Sequence, residues 1–197
     1  MKKLLAMLIA LMLLALPALA DAATETDAAT DAAAEQTEGV TLERMRYYFE
    51  HNVLPRYFYE DPANMLDVLK TNGIYRLWQA LADENGVEYP YQEADYNLRW
   101  YDLDGGATAL LIEMPAPEVS PQCLRVYMIY NQETGASGYY TVEYDNFMGE
   151  TAFLCGWTPD GTHMNYGGAP ILDPAADDYE AQLEAEVQQV GAMMTGE

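Results

Sequence analysis

Residues 98–166 read LRWYDLDGGATALLIEMPAPEVSPQCLRVYMIYNQETGASGYYTVEYDNFMGETAFLCGWTPDGTHMNY. Short apolar and aromatic runs alternate with polar residues, and clusters of Gly, Pro, Asn and Asp separate them, the pattern of consecutive antiparallel strands. Asp104-Gly105-Gly106-Ala107 and Pro159-Asp160-Gly161-Thr162 read as tight hairpin turns. They place Tyr101 opposite Leu110 and His163 opposite Thr158. Glu133-Thr134-Gly135 and Asn146-Phe147-Met148-Gly149 read as looser turns.

Matching apolar faces across these turns sets a register. One face then carries Tyr101, Leu103, Leu110, Ile112, Val126, Met128, Tyr140, Val142, Cys155, Trp157, Met164 and Tyr166. It is the predicted core. The opposite face is mixed, with Trp100, Glu113, Arg125, Tyr127, Thr141, Glu143, Asp145, Leu154 and His163. In this register Glu113, Arg125 and Asp145 lie side by side, and Glu143 has Tyr127, Leu111 and Trp100 as row neighbours.

Working outward, Thr41 reads as the cap of a helix carrying Leu42, Met45, Phe49 and Val53 at helical spacing, with Pro55 as its stop. VLPRYFYEDP follows as an irregular aromatic connector. Asp61-Pro62 opens a second helix with Met65, Leu66 and Leu69 inward. Ile74, Leu77, Trp78 and Leu81 form the stripe of a third, stopped by Gly86. Residues 87–97 read as a loop. After the strands, Asp173-Pro174 opens a last helix with Tyr179, Leu183, Val187 and Val190 on one stripe and Gly191 near its end.

The predicted fold is therefore α+β: N-terminal helices on one face of an antiparallel meander of five or six strands, plus a C-terminal helix. This helix-then-sheet order is similar in layout to cystatin-like and NTF2-like folds. No motif carries that likeness, so it brings no function with it.

The chain divides into four parts. Lys2 and Lys3, the apolar run Leu4–Leu16 and the small-residue site Pro17-Ala18-Leu19-Ala20 make residues 1–20 a signal peptide. Asp21 follows, not a cysteine, so the expectation is a soluble secreted protein without a lipid anchor. Residues 21–40 are Ala, Thr and acid in near-repeat, and read as a disordered acidic linker. Residues 41–172 form the globular domain and 173–197 an acidic helix and tail.

Formal net charge is -23, and losing Lys2 and Lys3 with the leader takes it to -25. With no Lys/Arg cluster to offset it, that surface repels phosphate backbones and anionic lipid. Neither nucleic acid nor, after cleavage, a membrane is an expected partner.

Chemistry-bearing motifs are sparse. Cys155 belongs to the predicted core face and Cys123 to the other, on non-neighbouring strands, so both are expected to be free thiols despite the oxidising compartment. His163, expected opposite Thr158 and on the other face, is out of reach of Cys155 as a catalytic base. Ser120 and Ser137 sit in no nucleophile context. Asp102-Leu103-Asp104-Gly105-Gly106 lacks the distal ligands of a calcium loop. His51, His163 and the two cysteines show no zinc spacing, so neither metal nor cofactor is expected.

What remains is a surface. Trp100, Tyr127, Arg125 and Glu143, with Glu113 and Asp145 beside them, form a mixed aromatic and charged face suited to a sugar ring, an extended peptide or a protein partner. The leading expectation is an exported, non-catalytic binding domain. The alternatives are a glycosidase-like extracytoplasmic hydrolase, with Glu143 as an acid whose pKa is raised by apolar neighbours, and an assembly module that self-associates through the same face.

Overall fold

A computed structural model describes residues 42–195 apart from 90, 93–94, 114–122 and 145–150. The expectations for the leader, the linker, Thr41, Asp145 and the turn at 146–149 lie outside the described residues. Six strands, β1 (Asn97–Asp102), β2 (Ala107–Glu113), β3 (Cys123–Asn131), β4 (Ser137–Tyr144), β5 (Ala152–Trp157) and β6 (His163–Ala169), form one antiparallel meander in sequence order. Before it come α1 (Leu42–Tyr48), α2 (Leu54–Glu60), α3 (Pro62–Asn72) and α4 (Tyr75–Glu84). After it comes α5 (Tyr179–Thr195). The fold is α+β.

Pro55 does not end the first helix. A π-helical turn over Phe49–Val53 joins α1 to α2, and Pro55 sits in the first turn of α2, where a missing N–H costs nothing. The expected irregular connector is therefore mostly helical. At the other end, Asp173 closes a turn by accepting the Ala175 N–H at 2.9 Å, and helix begins only at Tyr179.

The register departs from expectation because both Asp-Gly hairpins have three-residue loops. Leu103 N–H donates to Ala107 O at 2.8 Å, leaving Asp104, Gly105 and Gly106 in the loop, with both glycines at positive φ (76° and 79°). Thr158 N–H donates to Thr162 O at 3.0 Å, leaving Pro159, Asp160 and Gly161. Tyr101 therefore faces Ala109, and Trp100 faces Leu110. His163 faces Trp157.

Between β3 and β4 the loop is four residues long. Asn131 holds it: its Oδ1 accepts the Glu133 and Thr134 N–H groups at 2.9 and 3.1 Å, and its Nδ2 donates to Gly105 O at 2.8 Å. Tyr127 then faces Tyr140, and Val126 faces Thr141. Each one-residue slip moves a whole strand's side chains to the other face.

Both faces of the sheet are covered. Leu110, Ile112, Val126, Met128, Tyr139 and Thr141 turn toward the N-terminal helices, where Phe58 packs on Tyr139 with ring centroids 6.3 Å apart and Tyr139 Oη donates to Glu50 O at 2.6 Å. On the other face Leu111, Tyr127, Ile129, Val142 and Leu154 pack against Leu183, Val187 and Val190 of α5. Val142 and Tyr140 thus leave the expected helical face for the α5 side. Gly191 lets α5 approach the sheet: a Cβ there would stand 2.7 Å from Leu103 Cδ1.

The tie between α5 and the sheet is ionic. Arg125 donates to Glu186 through Nε at 2.8 Å and Nη2 at 2.9 Å, a bidentate pair, and to Pro170 O at 3.0 Å. Tyr127 Oη hydrogen-bonds the same carboxylate. Arg125 and Glu186 are both buried, so removing one partner strands a charge. Glu186→Ala is expected to cost about 3–5 kcal/mol in chemical denaturation. The combined replacement Arg125→Met, Tyr127→Phe and Glu186→Leu, which removes every member of the network, should cost much less.

Candidate functional site

The six residues expected to form one surface do not. Tyr127 and Arg125 are buried beneath α5. Glu113, on that same side, accepts from Arg99 Nε at 2.6 Å and bonds Asn97 and Tyr179. Trp100 and Glu143 are on the opposite side, Trp100 with Lys70 Nζ 5.5 Å from its ring centroid. Asp145 lies outside the described residues. The sheet itself separates the proposed aromatic pair, because the first hairpin's extra loop residue turns Trp100 over.

A cleft of about 360 Å³ opens beside Glu113, lined by Asn97, Arg99, Cys123, Arg125, Leu172 and Tyr179 among others. Its two guanidinium groups are engaged, Arg99 by Glu113 and Glu180 and Arg125 by Glu186. Neither is spare for an anionic ligand.

The densest polar chemistry gathers instead around Glu143, on the N-terminal-helix side of β4. His51, fully buried on the π-helical turn, reaches it with Nε2 at 3.0 Å from Oε1. Its Nδ1 lies 2.7 Å from Tyr47 O, a group that can only accept, so Nδ1 carries a proton. The ring thus bridges the Tyr47 carbonyl and the Glu143 carboxylate. Thr141 Oγ1 at 2.5 Å and Trp157 Nε1 at 3.2 Å donate to the same Oε1. Tyr47 stacks on His51 at 4.0 Å between centroids, and Trp157 meets its ring at 4.3 Å. A π-helical turn inside an α-helical run is a common way of aiming one side chain out of register, and here it aims His51 at the sheet.

The electrostatics run against the hydrolase expectation. Burial pushes the Glu143 carboxyl up, but the hydrogen bond and charge of His51, the Thr141 hydroxyl and the charge of His163 outweigh it and hold the pKa below the usual carboxylate range. A carboxylate held ionised is a poor general acid. The apolar setting expected from Trp100 and Tyr127 is absent because both row neighbours are elsewhere.

Cys155 and His163 both belong to this cluster, whereas the sequence reading put Cys155 on the face opposite Glu143 and His163. Cys155 pairs with Thr141, and His163 with Trp157, so both share the face of Glu143. Ligand atoms of Glu143, Cys155 and His163 all lie within 4.8 Å of one another. Burial, then the charge of Glu143, pushes the Cys155 thiol up to about 12, so it is no ready nucleophile. Sequence spacing shows no zinc set, whereas the sheet brings these three residues together from three adjacent strands. The signal in the sequence was loop length, since a three-residue Pro159–Gly161 loop brings His163 beside Trp157.

Cys123 and Cys155 are both free thiols. The reason differs from the one expected. A bulge between Cys123 and Arg125 turns Cys123 to the face of Cys155, opposite Glu143. The two are kept apart by β4 running between them, which at strand spacing separates their backbones by ~10 Å.

His51→Phe keeps the ring between Tyr47 and Trp157 while removing both hydrogen bonds. It is expected to cost about 1.5–3 kcal/mol in thermal or chemical unfolding. Because the folded pKa of Glu143 is lowered, its contribution is present above the ordinary carboxylate range and is lost as pH falls through the lowered value, so the penalty should shrink on acidification. Among the described residues, no helix is long and apolar enough to cross a membrane. The chain matches no protein-family model, no curated protein and no solved structure.

Proposed function

We propose that the chain is an exported binding domain that takes an extended segment of a partner protein along the open edge of its sheet at β6. Export rests on the leader pattern, with Lys2 and Lys3 ahead of the apolar run Leu4–Leu16 and Ala18-Leu19-Ala20 behind it. The observation that carries the binding reading is exposure. Met164 and Tyr166 of β6 are 46% and 48% accessible, on a strand that among the described residues pairs with β5 alone.

The patch exists because α5 does not reach it. That helix packs on β2, β3 and β4. Beyond its edge, Met164 and Tyr166 stand on the same side as Tyr140, whose ring centroid is 6.0 Å from that of Tyr166. Gly156 beneath them is required: a Cβ there would fall 2.7 Å from Tyr166 Cε2. The strand HMNYGGA contains no Lys, Glu or Pro, the residues that usually blunt a sheet edge. Its one protection is a bulge at Tyr166, which breaks the flat ladder and turns that ring outward. Strand addition uses such an edge, with main-chain hydrogen bonds for affinity and alternate side chains for selection. A net charge of -23 opposes stacking of two copies and favours a neutral or basic segment.

A displayed library of linear peptides, selected against residues 21–197, tests this. Selected peptides should lose at least about tenfold in affinity, or ~1.4 kcal/mol, against Tyr166→Lys or Met164→Lys. N-methylation at alternate peptide amides should abolish binding. Both variants should stay within ~0.5 kcal/mol of the parent in stability. Binders indifferent to both substitutions would remove the edge from consideration.

A further inference from the structure

We propose that Glu143, Cys155 and His163 form a zinc site with three protein ligands and a fourth position open to solvent. The inference is independent of the β6 edge as a docking strand. It rests on a juxtaposition of three adjacent strands: Glu143 is next to last in β4, Cys155 is central in β5, and His163 begins β6, with their ligand atoms within 4.8 Å of one another.

The donor set selects the metal. One carboxylate oxygen, one sulfur and one imidazole nitrogen suit zinc, whereas calcium and magnesium require oxygen donors throughout. Zinc bonds of ~2.0–2.3 Å on a tetrahedron put neighbouring donors roughly 3.5 Å apart. The cluster must therefore contract by about 1 Å, which the exposed His163 side chain can supply by rotation. Cys155 meets the cation as a thiolate, its S–H proton leaving to solvent as the S–Zn bond forms. The metal supplies the positive charge that a thiolate beside Glu143 otherwise lacks.

A second observation points the same way. Glu143 is held by the fully buried His51, by Thr141 and by Trp157, three donors converging on one oxygen. That is how a ligating carboxylate is oriented from behind. Trp157 also packs on the His163 ring, centroids 4.7 Å apart, which places the imidazole over the cluster.

The test uses residues 21–197, stripped of metal and titrated with zinc in excess magnesium, which competes for general acidic attraction. One equivalent of zinc should bind. The cobalt-loaded chain should show a thiolate-to-metal charge-transfer band together with the strong d–d bands of a tetrahedral ion. Cys155→Ser should abolish the charge-transfer band and Cys123→Ser should retain it. His163→Gln, at an exposed position, should weaken zinc at least ~10-fold while leaving the melting temperature of the metal-free chain unchanged. It carries the test should Cys155→Ser fail to fold. Zinc displaced by magnesium, a band that survives Cys155→Ser, or affinity unchanged in His163→Gln would each overturn the site.

Discussion

In a sheet buried on both faces, apolar patterning alone does not stop the central strands from slipping by one residue. In a half-exposed sheet a slip trades core for solvent and the hydrophobic pattern resists it. Here both parities of β3 and β4 are buried, Val126 and Tyr127 alike, and Thr141 and Val142 alike. A slip would exchange one apolar set for another. Something other than apolar patterning must fix the register, and the polar contacts do so. Asn131 closes the β3–β4 loop and reaches across to Gly105. Arg125 meets Glu186 and the Tyr127 hydroxyl only in the position that faces α5. Glu143 must likewise face His51.

These contacts also explain where the few cations of an acidic chain are used. Arg46 pairs with Glu50 at 2.7 Å inside the helical layer, Arg99 with Glu113 and Glu180 at the sheet's end, and Arg125 with Glu186 under α5. Each neutralises a carboxylate of the same fold. Burying such pairs contributes little net stability against well-packed apolar replacements, but it penalises every arrangement that separates them. The remaining surface is left strongly negative. That surface favours cationic over anionic groups in any recognition through charge.

Much of this was legible in the sequence, and the failures have one cause. The α+β layout, the helices over Met65–Leu69 and Ile74–Leu81, the Glu113–Arg125 row and the placement of Leu110, Val126, Met128, Cys155 and Trp157 toward the N-terminal helices follow from pattern and match the structure. What did not follow was parity across the turns. Asp104-Gly105-Gly106-Ala107 admits a two-residue or a three-residue loop, and the Leu103 N–H to Ala107 O hydrogen bond of the folded chain selects the longer one. The same ambiguity at Pro159–Gly161 moved His163. Trp100, Glu143 and His163 thus face the N-terminal helices and not the side expected of them, which separates Trp100 from Tyr127 and brings Glu143 and His163 to Cys155. The π-helical turn that delivers His51 had no signal either, because Pro55 reads equally as a helix stop and as a first-turn residue.

The two covers of the sheet end at different places, and that offset concentrates accessible chemistry at one edge. The N-terminal layer reaches β5 through Tyr47 and His51, which pack on Trp157. The C-terminal helix packs chiefly on β2, β3 and β4 and reaches β5 at Leu154. Beyond both, β6 pairs with β5 through a ladder interrupted at Tyr166, and Tyr166 packs on Tyr140. Such a strand has little apolar burial of its own to hold it, since Met164 and Tyr166 are half-exposed and Gly167 and Gly168 bury nothing. Ligation of His163 to a cation shared with Cys155 and Glu143 would cross-link β6 to the two strands behind it. The link would fall at the hairpin end, short of the bulge, fixing the start of the strand while leaving its outer edge unpaired. A mixed carboxylate, thiol and imidazole set is better placed there than in the interior, where uncompensated burial would cost most.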